Sequence, residues 1–185
     1  MVESEKFVEY EGRIKFLSLL PKNAICAEFG VYAGRFMRHI IKDTHPSKLY
    51  LVDPYWKVYG DKYWWSNKNT LDVFLKAVYR VKKYDNDKCI TFVIDTDINF
   101  LNDIKDYFFD WIYLDSSHEY EETLKELDAV KLKMKPEGLI CGHDFAPNPK
   151  HKHYGVAKAI NEWLGVNKDY KLYIRDNHSQ WIIKK

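Results

Sequence analysis

This sequence predicts a Rossmann-like, doubly wound α/β sheet of seven mostly parallel strands with a C-terminal antiparallel hairpin. Three observations carry that expectation. Five short apolar runs alternate with helical patterns, and parallel neighbours need crossover helices between them. The first run opens directly into Glu28-x-Gly30-x-x-x-Gly34 and then a helical pattern, the arrangement by which such folds bring backbone N–H groups close to a nucleotide. Polar residues mark the ends of all five runs: Glu28 and Gly30, Asp53, Asp95, Asp115, and His143 with Asp144. Open sheets bind ligands at the carboxyl ends of their strands, and helix capping alone does not need an acid at every one.

The elements follow in order. Phe7, Tyr10, Ile14, Leu17 and Leu20 recur at helical spacing before Pro21, so residues 1–22 read as a leading amphipathic helix packing on the sheet. Ala24 to Phe29 is the first strand, and Phe36, Met37, Ile40 and Ile41 form the inner face of the helix after it. Lys48 to Val52 is the second strand. The aromatic stretch from Tyr55 to Asn69 has no period. A helix with Leu71, Phe74, Val78 and Val81 inward follows, then a third strand from Cys89 to Ile94 and a short helix carrying Phe100, Leu101 and Ile104.

Trp111 to Leu114 is the fourth strand. The next helix has Ser117 as its cap, Glu119, Glu121 and Glu122 in its first turn and Lys131, Lys133 and Lys135 in its last. Both charge sets complement the helix dipole. Its inner face is Tyr120, Leu124 and Leu127, and Pro136 and Gly138 stop it. Leu139 to Cys141 is the fifth strand. The helix with Val156, Ile160 and Trp163 ends at Gly165, and Tyr170 to Ile174 with Gln180 to Ile183 make the hairpin.

Composition bounds the function. The chain has 185 residues, 46% of them apolar, and a net charge of +2. That predicts one domain over 1–185 with a sizeable core. It gives no reason to expect a nucleic-acid or membrane partner. Cys26, Cys89 and Cys141 form an odd, unpatterned set in apolar runs, which predicts reduced thiols and a cytoplasmic protein. Short edge elements leave a homodimer open.

Asp53 lies at the end of the second strand, 19 residues after Gly34, where an acid can accept from both hydroxyls of a ribose. Neither G-x-G-x-x-G nor G-x-x-x-x-G-K-[ST] occurs, which disfavours a dinucleotide and excludes a P-loop. An adenosine ligand without a demanding phosphate chain remains.

The pieces Glu28-x-Gly30-x-x-x-Gly34, Val52-Asp53-Pro54-Tyr55-Trp56, Tyr113 through Tyr120, Pro136 through Phe145, and Gly155 through Ala159 together resemble a class I S-adenosylmethionine-dependent methyltransferase. The nearest resemblance is to the macrocin O-methyltransferase-like small-molecule branch, and it runs from about Ala24 to Trp163. It implies that Glu28, Gly30 and Gly34 shape the cofactor pocket, that Asp53 holds the ribose, that Asp95 and Thr96 sit near the adenine, and that Asp115 also borders the cofactor. It places Asp115, His143 and Asp144 where metal-dependent members bind a divalent cation such as Mg²⁺. His143 departs from that pattern by replacing an acid, which softens the preference away from Mg²⁺.

Coordination lowers the pKa of a hydroxyl nucleophile. His118, one helical step past Asp115, is a candidate general base, since its unperturbed pKa is about 6.5. The expected reaction is methyl transfer to a small-molecule acceptor, by O-methylation, with Asp115 and His118 as catalytic residues. A metal-dependent hydroxylase-like relative, or a cofactor-binding protein without methyl transfer, is the alternative. Trp56, Tyr59, Trp64 and Trp65 are candidates for an acceptor-binding wall. His151, Lys152 and His153 read as solvated loop charge, with a rim of the acceptor site as the alternative.

Overall fold

A computed structural model describes residues 12–60, 69–175 and 179–185. The elements are helix α1 over 12–17, β1 (Ile25–Phe29), α2 (Met37–Thr44), β2 (Lys48–Val52), α3 (Trp56–Tyr59), α4 (Thr70–Tyr84), β3 (Ile90–Val93), α5 (Asp97–Asn102), β4 (Phe109–Leu114), α6 (Tyr120–Lys133), β5 (Met134–Gly142), α7 (Tyr154–Val166), β6 (Lys171–Arg175) and β7 (Trp181–Lys184). They form one seven-stranded sheet in the order β3-β2-β1-β4-β5-β7-β6. The first five strands of that order run parallel, and β7 enters antiparallel between β5 and β6. The mostly parallel sheet and its terminal antiparallel hairpin are therefore as expected, with β6 as the edge.

Strand alternation divides the core in two. On β1 and β4, Cys26, Trp111 and Tyr113 face a cluster with Phe16, Leu17, Met37, Ile40 and Ala77. Ala27, Phe29, Ile112 and Leu114 face the opposite cluster with Leu101, Leu127, Val130, Ile160 and Trp163. Each central strand is thus apolar on both faces, as a doubly covered parallel sheet requires. The three cysteines are free and buried.

Register then decides where the polar residues fall. Phe29 pairs with both Val52 and Leu114, Val52 with Val93, and Leu114 with Gly142. Because parallel strands end level, the residues that follow these pairs share one edge of the sheet. Gly30, Asp53, Asp115 and His143 meet there, with Asp95 one residue farther on.

Several local expectations are corrected. Helix α4 buries Thr70, Val73 and Ala77 and leaves Leu71 and Val78 exposed. The cause is the glycine turn, since a Cβ on Gly34 would lie 3.2 Å from the Ala77 Cα. Only a small residue permits that approach. Helix α6 buries Thr123, Glu126, Leu127 and Val130, with Tyr120 and Leu124 half-buried. Its N-cap is Glu119, and Ser117 Oγ accepts from the Glu119 N–H at 3.2 Å just ahead of it. The helix ends at Lys133, because Pro136 biases the residue before it toward extended backbone.

Lys135 accordingly lies in β5, 2.8 Å from Asp110. Strand β5 is itself longer than expected, starting at Met134. Gly165 does not stop α7, which runs to Val166 and is closed by Asn167 N and Nδ2 donating to the Trp163 carbonyl. Of the leading helix, Phe7 and Tyr10 lie outside the described residues, as do Tyr63, Trp64 and Trp65 of the aromatic stretch. Among the described residues no helix is long and apolar enough to cross a membrane.

Candidate active site

The site begins at the turn between β1 and α2. Gly30 has φ +84°, and a Cβ there would meet the Asp115 carbonyl oxygen at 2.2 Å. Its glycine is thus required by the end of β4, which crosses directly behind it. The Gly30 N–H continues the ladder to the Val52 carbonyl at 3.0 Å. Two residues on, Tyr32 also has positive φ, and its N–H donates to Asp53 Oδ2 at 2.8 Å. Asp53 Oδ1 accepts from the Tyr55 N–H at 3.1 Å.

Asp53 therefore clips the ends of β1 and β2 together, and it is 1% exposed. Burial pushes its carboxyl up to about 6 against the pull of those N–H groups. Tyr55 packs inward, with its hydroxyl donating to the Tyr32 carbonyl at 2.6 Å and its ring against Phe74 and Phe92. It belongs to the core, whereas Trp56 is half-exposed against Phe74.

Glu28 is the buried acid of the site. Its side chain points from β1 toward the Arg13 and Asp115 side, and burial, reinforced by Asp115, raises its carboxyl well above the ordinary range. Its Oε2 has no hydrogen-bond partner among the described residues. A buried acceptor left open in this way is expensive, and it suits a ligand donor such as an ammonium group. Asp95 is outside this cluster. Lys57 pairs with it at 2.7 Å and, with Asn99 and the Thr96 N–H, holds it below the usual carboxylate range. Thr96 caps α5 by accepting from the Asn99 N–H at 3.3 Å.

The ends of β4 and β5 bring the other predicted residues together. Asp144 follows β5 in a left-handed conformation, φ 62°, a strained choice for a non-glycine residue. Trp181 Nε1 donates to the His143 carbonyl at 2.9 Å and fixes that end of the strand. His118 Nε2 lies 2.8 Å from Asp144 Oδ2. His143 Nδ1 lies 3.1 Å from Asp144 Oδ1 and 3.7 Å from Asp115 Oδ1. Burial works against charge on His118, but the Asp144 carboxylate outweighs it and the imidazole pKa is raised. Burial likewise opposes charge on Asp144, yet His118 and His143 hold its carboxyl well below the ordinary range.

Two further residues join the site, His153 by the weaker of its two sequence readings and Arg13 with no sequence signal. His153 does not behave as solvated loop charge. Its Nε2 is 4.0 Å from Asp144 Oδ1 and its ring centroid 4.2 Å from that of His118. Arg13, on α1, donates from Nη1 to Asp115 Oδ2 at 2.8 Å and from Nη2 to Oδ1 at 3.3 Å. The run of histidines after Asp144 is a usable signal for the first. Nothing local signals the second, because 102 residues separate the partners.

Donor atoms of Asp115, His143 and Asp144 lie within 4.8 Å of one another, as do those of His118, Asp144 and His153. The donor types suit a divalent cation. The arrangement around Asp115 does not, because both of its oxygens already accept from a guanidinium.

A methyltransferase-domain family model matches residues 27–145, well over half of the chain. No curated protein matches it in sequence. Among solved structures, it is similar to the O-methyltransferase TomG of Streptomyces achromogenes, determined with S-adenosylmethionine, at 13% identity and a TM-score of 0.59 over 99% of this chain and 78% of that one. It is also similar to an O-methyltransferase candidate from Klebsiella pneumoniae, at 16% identity and a TM-score of 0.65 over 93% and 77%. An rRNA-methylase candidate from Clostridium thermocellum matches at 10% identity and 0.62 over 95% of each chain. At such identities the structures establish the fold, and the family match carries the assignment. The chain belongs to the methyltransferase-domain family and is an S-adenosylmethionine-dependent methyltransferase.

Proposed function

We propose that the chain methylates a hydroxyl oxygen of a small-molecule acceptor, with His118 as general base. The observation that carries this reading is the 2.8 Å contact between His118 and Asp144 at the ligand edge of the sheet. A hydroxyl is a poor nucleophile at neutral pH and needs its proton removed as it attacks. Bound S-adenosylmethionine supplies an electrophilic methyl on its sulfonium. With Nε2–H directed at Asp144, a neutral His118 ring presents Nδ1 as the proton acceptor.

His118 takes the hydroxyl proton at Nδ1 as the oxygen–carbon bond forms and the carbon–sulfur bond breaks. The products are the methyl ether, S-adenosylhomocysteine and a protonated imidazole stabilised by Asp144. Glu28, through its open Oε2, would receive the ammonium of the methionine end, beside the Gly30–Gly34 turn. Asp53 would shape the ribose side of the pocket by fixing the Tyr32 and Tyr55 N–H groups, and Asp95 with Thr96 would border the adenine. Acceptor contacts would come from α1, from Trp56 and from His153.

The test uses S-adenosylmethionine labelled in its methyl group, incubated with a panel of hydroxyl-bearing small molecules and, separately, with total RNA. Label in a small-molecule ether, lost in His118→Ala, is the expected result. Label recovered in RNA, or a His118→Ala rate equal to that of the unaltered protein, would overturn the reading.

A further inference from the structure

Helix α1 carries a fixed positive charge into the place where a cation would be expected. The guanidinium of Arg13 engages both oxygens of Asp115, at 2.8 and 3.3 Å. Their side chains are largely buried, at 14% and 16% exposed. The same guanidinium sits 5.6 Å above the Phe36 ring, an attractive placement for a planar cation. Burial disfavours charge on Arg13, but the Asp115 carboxylate, with Asp144 beyond it, keeps the guanidinium protonated. Helix α1 is itself anchored. Phe16, Leu17 and Leu20 are buried, and Trp111 Nε1 donates to the Pro21 carbonyl at 3.1 Å just beyond the helix. Arg13 is therefore delivered to Asp115 by a packed element.

We propose that Arg13 takes the place of a divalent cation at the end of β4, and that Asp115 serves to hold this guanidinium. A paired fork on a carboxylate is among the stronger charge-assisted contacts. An ion binding to Asp115 would have to displace two such hydrogen bonds and approach a like charge. Arg13 supplies one permanent positive charge that offsets the Asp115 carboxylate and orients it at the end of β4. It acts as a positioning residue, and its role does not vary with metal supply. The catalytic consequence rests on the methyltransferase reading, whereas the occupancy of Asp115 does not.

The experiment follows the six-line electron paramagnetic resonance signal of aqueous Mn²⁺, which diminishes on binding. The unaltered protein should show no Mn²⁺ binding that Asp115→Asn removes. Arg13→Gln, which keeps length and removes charge, should bind Mn²⁺ on the order of tenfold more tightly or better, and Arg13→Gln with Asp115→Asn should lose that binding. Circular dichroism confirms that each variant is folded. Mn²⁺ binding by the unaltered protein that Asp115→Asn abolishes, or a folded Arg13→Gln with no gain in Mn²⁺ binding, would overturn the proposal. A protein that binds no S-adenosylmethionine would sink the functional reading and leave the Mn²⁺ result standing on its own.

Discussion

Gly30→Ala probes the joint on which the whole site is hung. The new Cβ would lie 2.2 Å from the Asp115 carbonyl oxygen, 2.5 Å from its carbon and 2.7 Å from the Ser116 Cα. All three are backbone atoms, and Asp115 N is tied to the Phe29 carbonyl at 2.9 Å, so neither strand end can yield without breaking the ladder. Overpacking of this kind costs about 1–3 kcal/mol. Forcing alanine to φ +84° adds about 1–3 kcal/mol of backbone strain. The sum, about 2–6 kcal/mol, corresponds to a fall in Tm of roughly 4–24 °C for a chain of this size. Differential scanning calorimetry measures it. Gly165→Ala is the control, because a Cβ there meets nothing within 4 Å and the position lies within α7, so its Tm should hold or rise slightly. A Gly30→Ala protein melting with the unaltered one would mean that the Asp115 backbone yields freely to the new Cβ, contrary to the contact described.

Other expectations follow from the same contacts. Asp97 and Glu126 are buried side by side, with Ser116 Oγ donating to Glu126 at 3.0 Å, and burial pushes the Asp97 carboxyl up to about 7. A folded-state pKa raised in this way contributes stability that is full below about pH 4 and is lost as pH rises through about 7. The unaltered protein should therefore lose stability to urea between about pH 4 and 7, and Asp97→Asn should lose at least about 1 kcal/mol less over that window; parallel curves would contradict the raised Asp97 carboxyl. Asp144→Asn removes the partner that raises His118, so the rising limb of the pH–rate profile should move to lower pH while the maximal rate falls, and an unmoved limb would exclude His118 as the titrating base. Asp53→Ala leaves the N–H groups of Tyr32 and Tyr55 without their acceptor, at about 1–3 kcal/mol each in burial cost, and cofactor affinity should drop with stability in parallel titration and melting experiments.

The sheet was legible because its signals are local. Apolar runs of strand length and the acids that end them sit in consecutive residues, and parallel register turns that sequence order into a shared edge. Glu28, Asp115, His118, His143 and Asp144 could thus be brought together before any coordinates. Helix faces were less legible, because tertiary approach chose them. Ala77 faces inward since Gly34 leaves room for only a small residue, and Leu71 turns outward as a result. Glu126 reads as a surface charge until Ser116 and Asp97 are placed beside it. Arg13 was invisible for a different reason: its partner is a strand end far along the chain, and the helix was recognised by its apolar residues alone. Trp181 likewise fixes the His143 carbonyl from the terminal hairpin, which carries no motif.

We propose that the open edge of this sheet is where S-adenosylmethionine binds. Isothermal titration of the folded chain with S-adenosylhomocysteine tests it without knowledge of the acceptor. Saturable binding to one site, largely lost in Asp53→Ala and weakened in Glu28→Gln, is the predicted result. A folded protein that gives no binding heat at millimolar ligand, in buffers of differing ionisation enthalpy, would contradict it.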